Sequence, residues 1–207
     1  MIPMAVLMSD INLFSFDTLM SIGVGLGLAA AAGFRIFVPL LVLSLAARGG
    51  YVPLSGGFEW IASTPALLAF GIATLAEVGA YYVPWVDNAL DALAAPAAVT
   101  AGVIASASVM TELPPMLKWS VALVGGGAAA GVVHSSTSLL RLKSTATTGG
   151  LANPIFATTE LIGSLFTSVL AIILPLLALI LVALGLFLVY RVTRRIFRGA
   201  RSAPAAP

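Results

Sequence analysis

The chain has 207 residues, of which 60% are hydrophobic and only 9% charged, with a formal net charge of +2. A soluble globular domain carries about 25% charged residues, so the composition points away from a water-soluble fold and toward a polytopic membrane protein with no room for a separate soluble domain. The absence of cysteine excludes disulfides and thiolate chemistry, and a single histidine speaks against structural zinc, so no metal site and no cofactor is expected.

Residues 1–17 form an N-terminal segment opening MIPMAVLM. It lacks a basic n-region, and Asp10 and Asp17 follow, so no cleavable signal peptide is expected. The first apolar block runs from Thr18 to Ala47 with Arg35 as its only charge. About 20 apolar residues cross a hydrocarbon core, so a single span here would put Arg35 near mid-depth. Arginine does not discharge itself, so it needs a carboxylate, a bound anion or a water-filled cavity. The plainer reading is an ion pair that locks two helices. The loop GGYVPLSGGFEW follows, with Tyr51 and Trp60 suited to a headgroup belt.

The second block, Ile61 to Val83, holds Glu77 in its last third. The third follows Pro84 and Trp85 and carries Asp87 and Asp91 one turn apart, with Pro96 further in. Its turn is TELPP, where consecutive prolines stop a helix. The fourth, Trp119 to Leu140, passes through GGGAAAG and ends in HSSTSLLRLKS. The last, Pro154 to Tyr190, has Glu160 as its only charge. As one helix it would measure about 55 Å against a core of about 30 Å, so a break near Pro175 is expected. The reading is a short or re-entrant segment from Pro154 to about Leu174, then a full span to Tyr190. The fold class is therefore an all-α membrane helix bundle over residues 18–190 with five or six transmembrane segments. Six would leave both termini on one side of the membrane, and five would leave them on opposite sides.

The tail, residues 191–207, contains Arg191, Arg194, Arg195, Arg198 and Arg201. By the positive-inside rule it is cytoplasmic, and it suits anionic lipid rather than nucleic acid. GLGLAAAAGF (25–34) echoes LVGGGAAAGV (123–132), and VPWVDNALD (83–91) loosely echoes ANPIFATTE (152–160). An inverted repeat of this kind is typical of transporters, although alanine and glycine runs produce similar echoes by chance. Gly23-x-x-x-Gly27 and Gly127-x-x-x-Gly131 present flat faces, expected to pack block one against block four.

His134, Ser138 and Arg141 share one helical stripe, and Glu160 forms another with Ser164 and Thr167 or Ser168. The candidate substrate or ion site comprises Arg35, Glu77, Asp87, Asp91, His134, Ser138, Arg141 and Glu160. Acids that exchange protons beside a fixed cation and a histidine suit a proton- or cation-coupled path. The same cations with helix N-termini at Pro84 and Pro154 would instead suit an anionic solute. No hydrolase, zincin or phosphate-loop motif is present, so no catalytic residues and no enzyme are expected. A small transporter or channel-like permease leads. A structural or accessory membrane subunit is the alternative, with lipid-headgroup handling behind it. Expected partners are membrane lipid, a small ion or anionic solute, and a second copy of the chain. Glu160 in a hydrated cavity shared with His134 would mark transport, and Glu160 in a dry pair would mark the structural role.

GLAAAAGFRIFVPLL, HSSTSLLR, STATTGG and the spacing from Asn153-Pro154 to Glu160 resemble the bacterial DUF4126 family of multi-pass membrane proteins. The likeness covers about Met20 to Leu174. It implies a multi-pass fold and a grouping of Arg35, His134 and Glu160, with no biochemical activity attached. Members of that family often carry an acidic pair where this chain has Glu160-Leu161.

Overall fold

The apolar blocks become seven helices in the structure, a computed structural model that describes residues 15–80, 84–149 and 151–201. Side chains are described at these positions except 84–92, 192, 193 and 196–201. In chain order the helices are α1 (Phe16–Phe34), α2 (Phe37–Arg48), α3 (Thr64–Ala80), α4 (Pro84–Val109), α5 (Pro115–Thr148), α6 (Asn153–Ile173) and α7 (Pro175–Arg201). Among the described residues there is no strand. The helices α1, α5 and α6 are long and apolar enough to cross a membrane, and the apolar stretches of the other four are shorter.

Local chemistry sets the ends. Ser15 Oγ accepts from the Thr18 N–H at 3.1 Å and caps α1. Gly149, with φ of 65°, closes α5 in the left-handed conformation that a side chain would resist. Pro175 has no N–H to donate, so the ladder of α6 ends with the Leu174 N–H on the Leu170 carbonyl, and α7 begins at the proline.

Two sequence expectations change here. The run from Thr18 to Ala47 is not one span: α1 stops at Phe34, Arg35 is extended, and α2 starts at Phe37. The 19 residues of α1 already cover about 28 Å, so Arg35 follows a helix of crossing length and is not inside one. The segment after Pro154 is neither short nor re-entrant. It is the 21-residue α6, about 31 Å long, because nothing interrupts its backbone before Pro175.

The helix α1 is the hub of the bundle. Gly23 lies against Pro175 and Gly27 against both Ala171 and Ala178, so α6 runs antiparallel to α1 and α7 returns parallel to it. Gly25 meets Ser106 and Ala29 meets Gly102, which makes α4 antiparallel. Leu26 meets Gly125 and Gly33 meets Ala130 and Val133, which makes α5 parallel. Ser106 Oγ donates to the Gly25 carbonyl at 2.9 Å, a bond that requires the near backbone contact small residues allow. Beside this crossing α5 carries a π turn, Ala122–Gly126. The two small-residue motifs do not face each other: Gly23 and Gly27 serve the α6–α7 hairpin, whereas Gly127 and Gly131 face Val99 and Val103 of α4. Both sequence echoes fall on helices that run the same way, α1 with α5 and α4 with α6, so any repeat built from them would be parallel and not inverted.

Successive helices thus run to and fro between two faces. One, the N-terminal face, gathers the start of α1, the loop 49–63, the turn after Val109 and the Leu174–Pro175 break. Asp17, Tyr51, Val109 and Pro175 share one cavity there. The other, the C-terminal face, gathers the α1–α2 break, the end of α3, the α5–α6 turn and the end of α7. Phe16 and Arg201 lie on opposite faces. The first block contributes two helices, and of the seven described helices α1, α5 and α6 have the length and hydropathy of a full crossing.

Candidate functional site

The break between α1 and α2 is where the charges meet. With Arg35 extended, φ −145° and ψ 129°, the amides of Ile36 and Phe37 have no intrahelical acceptor. Glu77, in the last turn of α3, receives both: Ile36 N–H donates to Oε1 at 2.8 Å and Phe37 N–H to Oε2 at 3.1 Å. A carboxylate at a helix N-terminus is electrostatically favoured, so Glu77 holds the start of α2 and defines the break. On the other side, Ser164 Oγ of α6 donates to the Ala31 carbonyl at 3.0 Å, occupying one of the last acceptors of α1.

The Arg35 side chain leaves the break toward α6. It is 2% exposed, and its Nη2 donates to the Ala157 carbonyl at 2.9 Å. The same nitrogen lies 3.6 Å from Glu160 Oε2. From α5, Arg141 Nε approaches the other oxygen, Glu160 Oε1, at 3.2 Å. Glu160 is 4% exposed and Arg141 3%, so the two guanidiniums share one carboxylate away from solvent. The stripe Ala157, Glu160, Ser164, Ser168 and Ala171 is buried on one face of α6, which turns its one charge and two serines inward.

The remaining candidates fall around this triad. His134 is buried on α5, two turns back from Arg141, and its Nε2 lies 3.3 Å from Ser138 Oγ. Thr137 Oγ1 donates to the His134 carbonyl at 3.0 Å. Asp87 and Asp91 occupy the first turns of α4, and their side chains lie outside the described residues. The structure therefore brings Arg35, Arg141 and Glu160 together, sets Glu77 at the neighbouring break, and places His134 and Ser138 on the same helix face as Arg141. Among the described residues no group of three or more His, Cys, Asp or Glu could hold a metal ion.

Sequence reasoning gave no role to the Ala157 carbonyl, to Glu77 as a helix cap, or to the pairing of Lys118 with Ser55. The Lys118 ammonium, on the first turn of α5 at the far face, donates to Ser55 Oγ at 2.7 Å. The signal for Ala157 was its place three residues before Glu160 on the α6 stripe. For Glu77 and Lys118 the partner lies in a distant helix or loop, and no local pattern marks it.

No curated protein and no solved structure matches the chain. A family model does match, over residues 22–195, which takes in the break, the triad and every helix from α1 into α7. The chain belongs to the family described as a domain of unknown function, DUF4126.

Proposed function

We propose that this is an integral membrane subunit with a structural or accessory role, in which the Arg35–Glu160–Arg141 triad locks α1, α5 and α6 together. The observation that carries this reading is the state of Glu160: it is 4% exposed, with one oxygen toward each guanidinium. A coupling carboxylate has to exchange protons or ions with water, and one enclosed by two guanidiniums is shut away from solvent. The second reading, a small transporter or permease, rests on the broken α1–α2 helix, since discontinuous helices with exposed backbone groups build substrate sites in carriers. No enzymatic activity belongs to either reading.

Charge counting supports an orientation once the two faces are known. Arg48 and Lys118 belong to the N-terminal face, whereas Arg35, Arg141, Lys143, Arg191, Arg194, Arg195, Arg198 and Arg201 belong to the C-terminal face. The positive-inside rule then assigns the C-terminal face to the cytoplasm, in the plasma membrane of a bacterial cell. A reporter fused after Arg198 gives a cytoplasmic signal; a periplasmic signal refutes the orientation. For the role itself, proteoliposomes of wild type and Glu160→Gln are compared for pH-driven ion or solute flux and for thermal stability. The structural reading expects no flux from wild type and a lower melting temperature for the variant. Flux in wild type that vanishes in a normally folded Glu160→Gln protein establishes transport instead.

A further inference from the structure

We infer that the open groove between α5, α6 and α7 is a binding site for one acyl chain of an anionic phospholipid, with the headgroup held by the basic rim of the C-terminal face. The groove has a volume of about 410 Å³ and a lining that is almost wholly apolar, including Phe34, Ala129, Leu140, Phe166, Gly185 and Val189. That volume is within the roughly 300–1,000 Å³ of small-molecule sites, but a lining with so few polar groups suits a hydrocarbon chain better than a polar solute. Leu140, Phe166 and Val189 are themselves exposed, so the groove opens sideways, where lipid would lie.

The choice of occupant rests on charge. One turn beyond Leu140, on the same face of α5, stands the exposed Lys143. Beyond Val189, within two turns of α7, stand the exposed Arg191, Arg194 and Arg195. Past the groove, the ends of α5, α6 and α7 contain no acidic residue apart from Glu160, which is buried between its two arginines. A phosphate at this level meets exposed side chains of these three helices whose charges are all positive, the arrangement by which interhelical basic pockets select anionic headgroups. A helix from a second copy fits worse. Two copies in one membrane share an orientation, so docking in this groove would bring two basic rims to the same level.

The test uses the full chain in detergent with dioleoyl phosphatidylglycerol and dioleoyl phosphatidylcholine as probes, and counts retained lipid by native mass spectrometry. Wild type is expected to retain phosphatidylglycerol in preference to phosphatidylcholine. Gly185→Phe fills the groove: a Cβ at Gly185 meets nothing within 4 Å, so the variant is expected to keep its helical circular dichroism and melting curve. It should retain at least tenfold less phosphatidylglycerol. Lys143→Ala with Arg195→Ala should erase the headgroup preference, by about fivefold per charge removed, while leaving phosphatidylcholine retention unchanged. Equal retention of the two lipids by wild type, or undiminished phosphatidylglycerol in a folded Gly185→Phe protein, overturns the assignment. So does a cross-linked dimer that Gly185→Phe abolishes while lipid retention stays constant.

Discussion

The two faces of the bundle each bury a cation, and they satisfy it differently. At the N-terminal face Lys118, 9% exposed, gives its ammonium to the Ser55 hydroxyl at 2.7 Å and sits 5.7 Å from the centre of the Phe58 ring. The loop that supplies both partners is itself pinned by the Ser55 N–H on the Ser108 carbonyl at 2.7 Å. At the C-terminal face Arg35, 2% exposed, uses a backbone carbonyl and a carboxylate that Arg141 shares. Lysine is a compact charge on a flexible stem and settles for a hydroxyl and a ring near an edge. Two guanidiniums enclosed by helices need a formal countercharge. The first arrangement ties a loop to one helix, and the second ties three helices to one another.

The largest expected effect comes from removing the shared countercharge. Glu160→Ala leaves Arg35 and Arg141 facing each other in a buried site, and the loss is expected at about 3–5 kcal/mol. Thermal unfolding in detergent, followed by circular dichroism, measures it. A loss below about 1 kcal/mol, the scale of an exposed ion pair, would show that water reaches the triad and would end the description of it as a lock.

Much of the architecture was legible in the sequence because it depends on local rules. Apolar blocks and proline stops are properties of short stretches, and they mark α3, α4, α5 and the α6–α7 break. The break at Arg35 was not legible, since the surrounding residues are uniformly apolar and its cause is Glu77, about 40 residues away and bonded to the Ile36 and Phe37 amides. Composition gave Arg35 and Glu160 as candidates through their cost in an apolar run. Their pairing through Ala157 and Arg141 needed the antiparallel packing of α1 on α6.

A middle-sized effect separates the two small-residue motifs, which look alike in sequence. A Cβ at Gly27 would stand 2.5 Å from the Ala171 Cβ and 3.2 Å from the Ala178 Cβ, so Gly27→Ala forces the α6–α7 hairpin outward. The cost is expected at about 1–3 kcal/mol. At Gly127 a Cβ would meet Val103 and Val99 at 3.4 and 3.5 Å, ordinary contact distances. There alanine is expected to be neutral, or to stabilise by up to about 1 kcal/mol through helix propensity. Equal losses at both positions would mean that the hairpin is no more tightly seated on α1 than α4 is on α5.

The smallest effect returns to the lysine. Lys118→Met keeps most of the buried stem and removes the ammonium, so the Ser55 hydroxyl loses one bond and the Phe58 ring its cation. Ser55 remains held through its backbone N–H, and the loop keeps its Ser44 Oγ to Ile61 carbonyl bond at 2.6 Å. The net cost of one such hydrogen bond is about 0.5–1.5 kcal/mol, well below the expected loss for Glu160→Ala. Unlike Glu160→Ala, the change leaves no buried charge behind, because the charge itself is what is removed. Comparing the two melting curves in one detergent therefore tests whether the faces differ in kind. If Lys118→Met unfolds as readily as Glu160→Ala, the neutral clasp at the N-terminal face is as demanding as the charged lock, and the contrast between them fails.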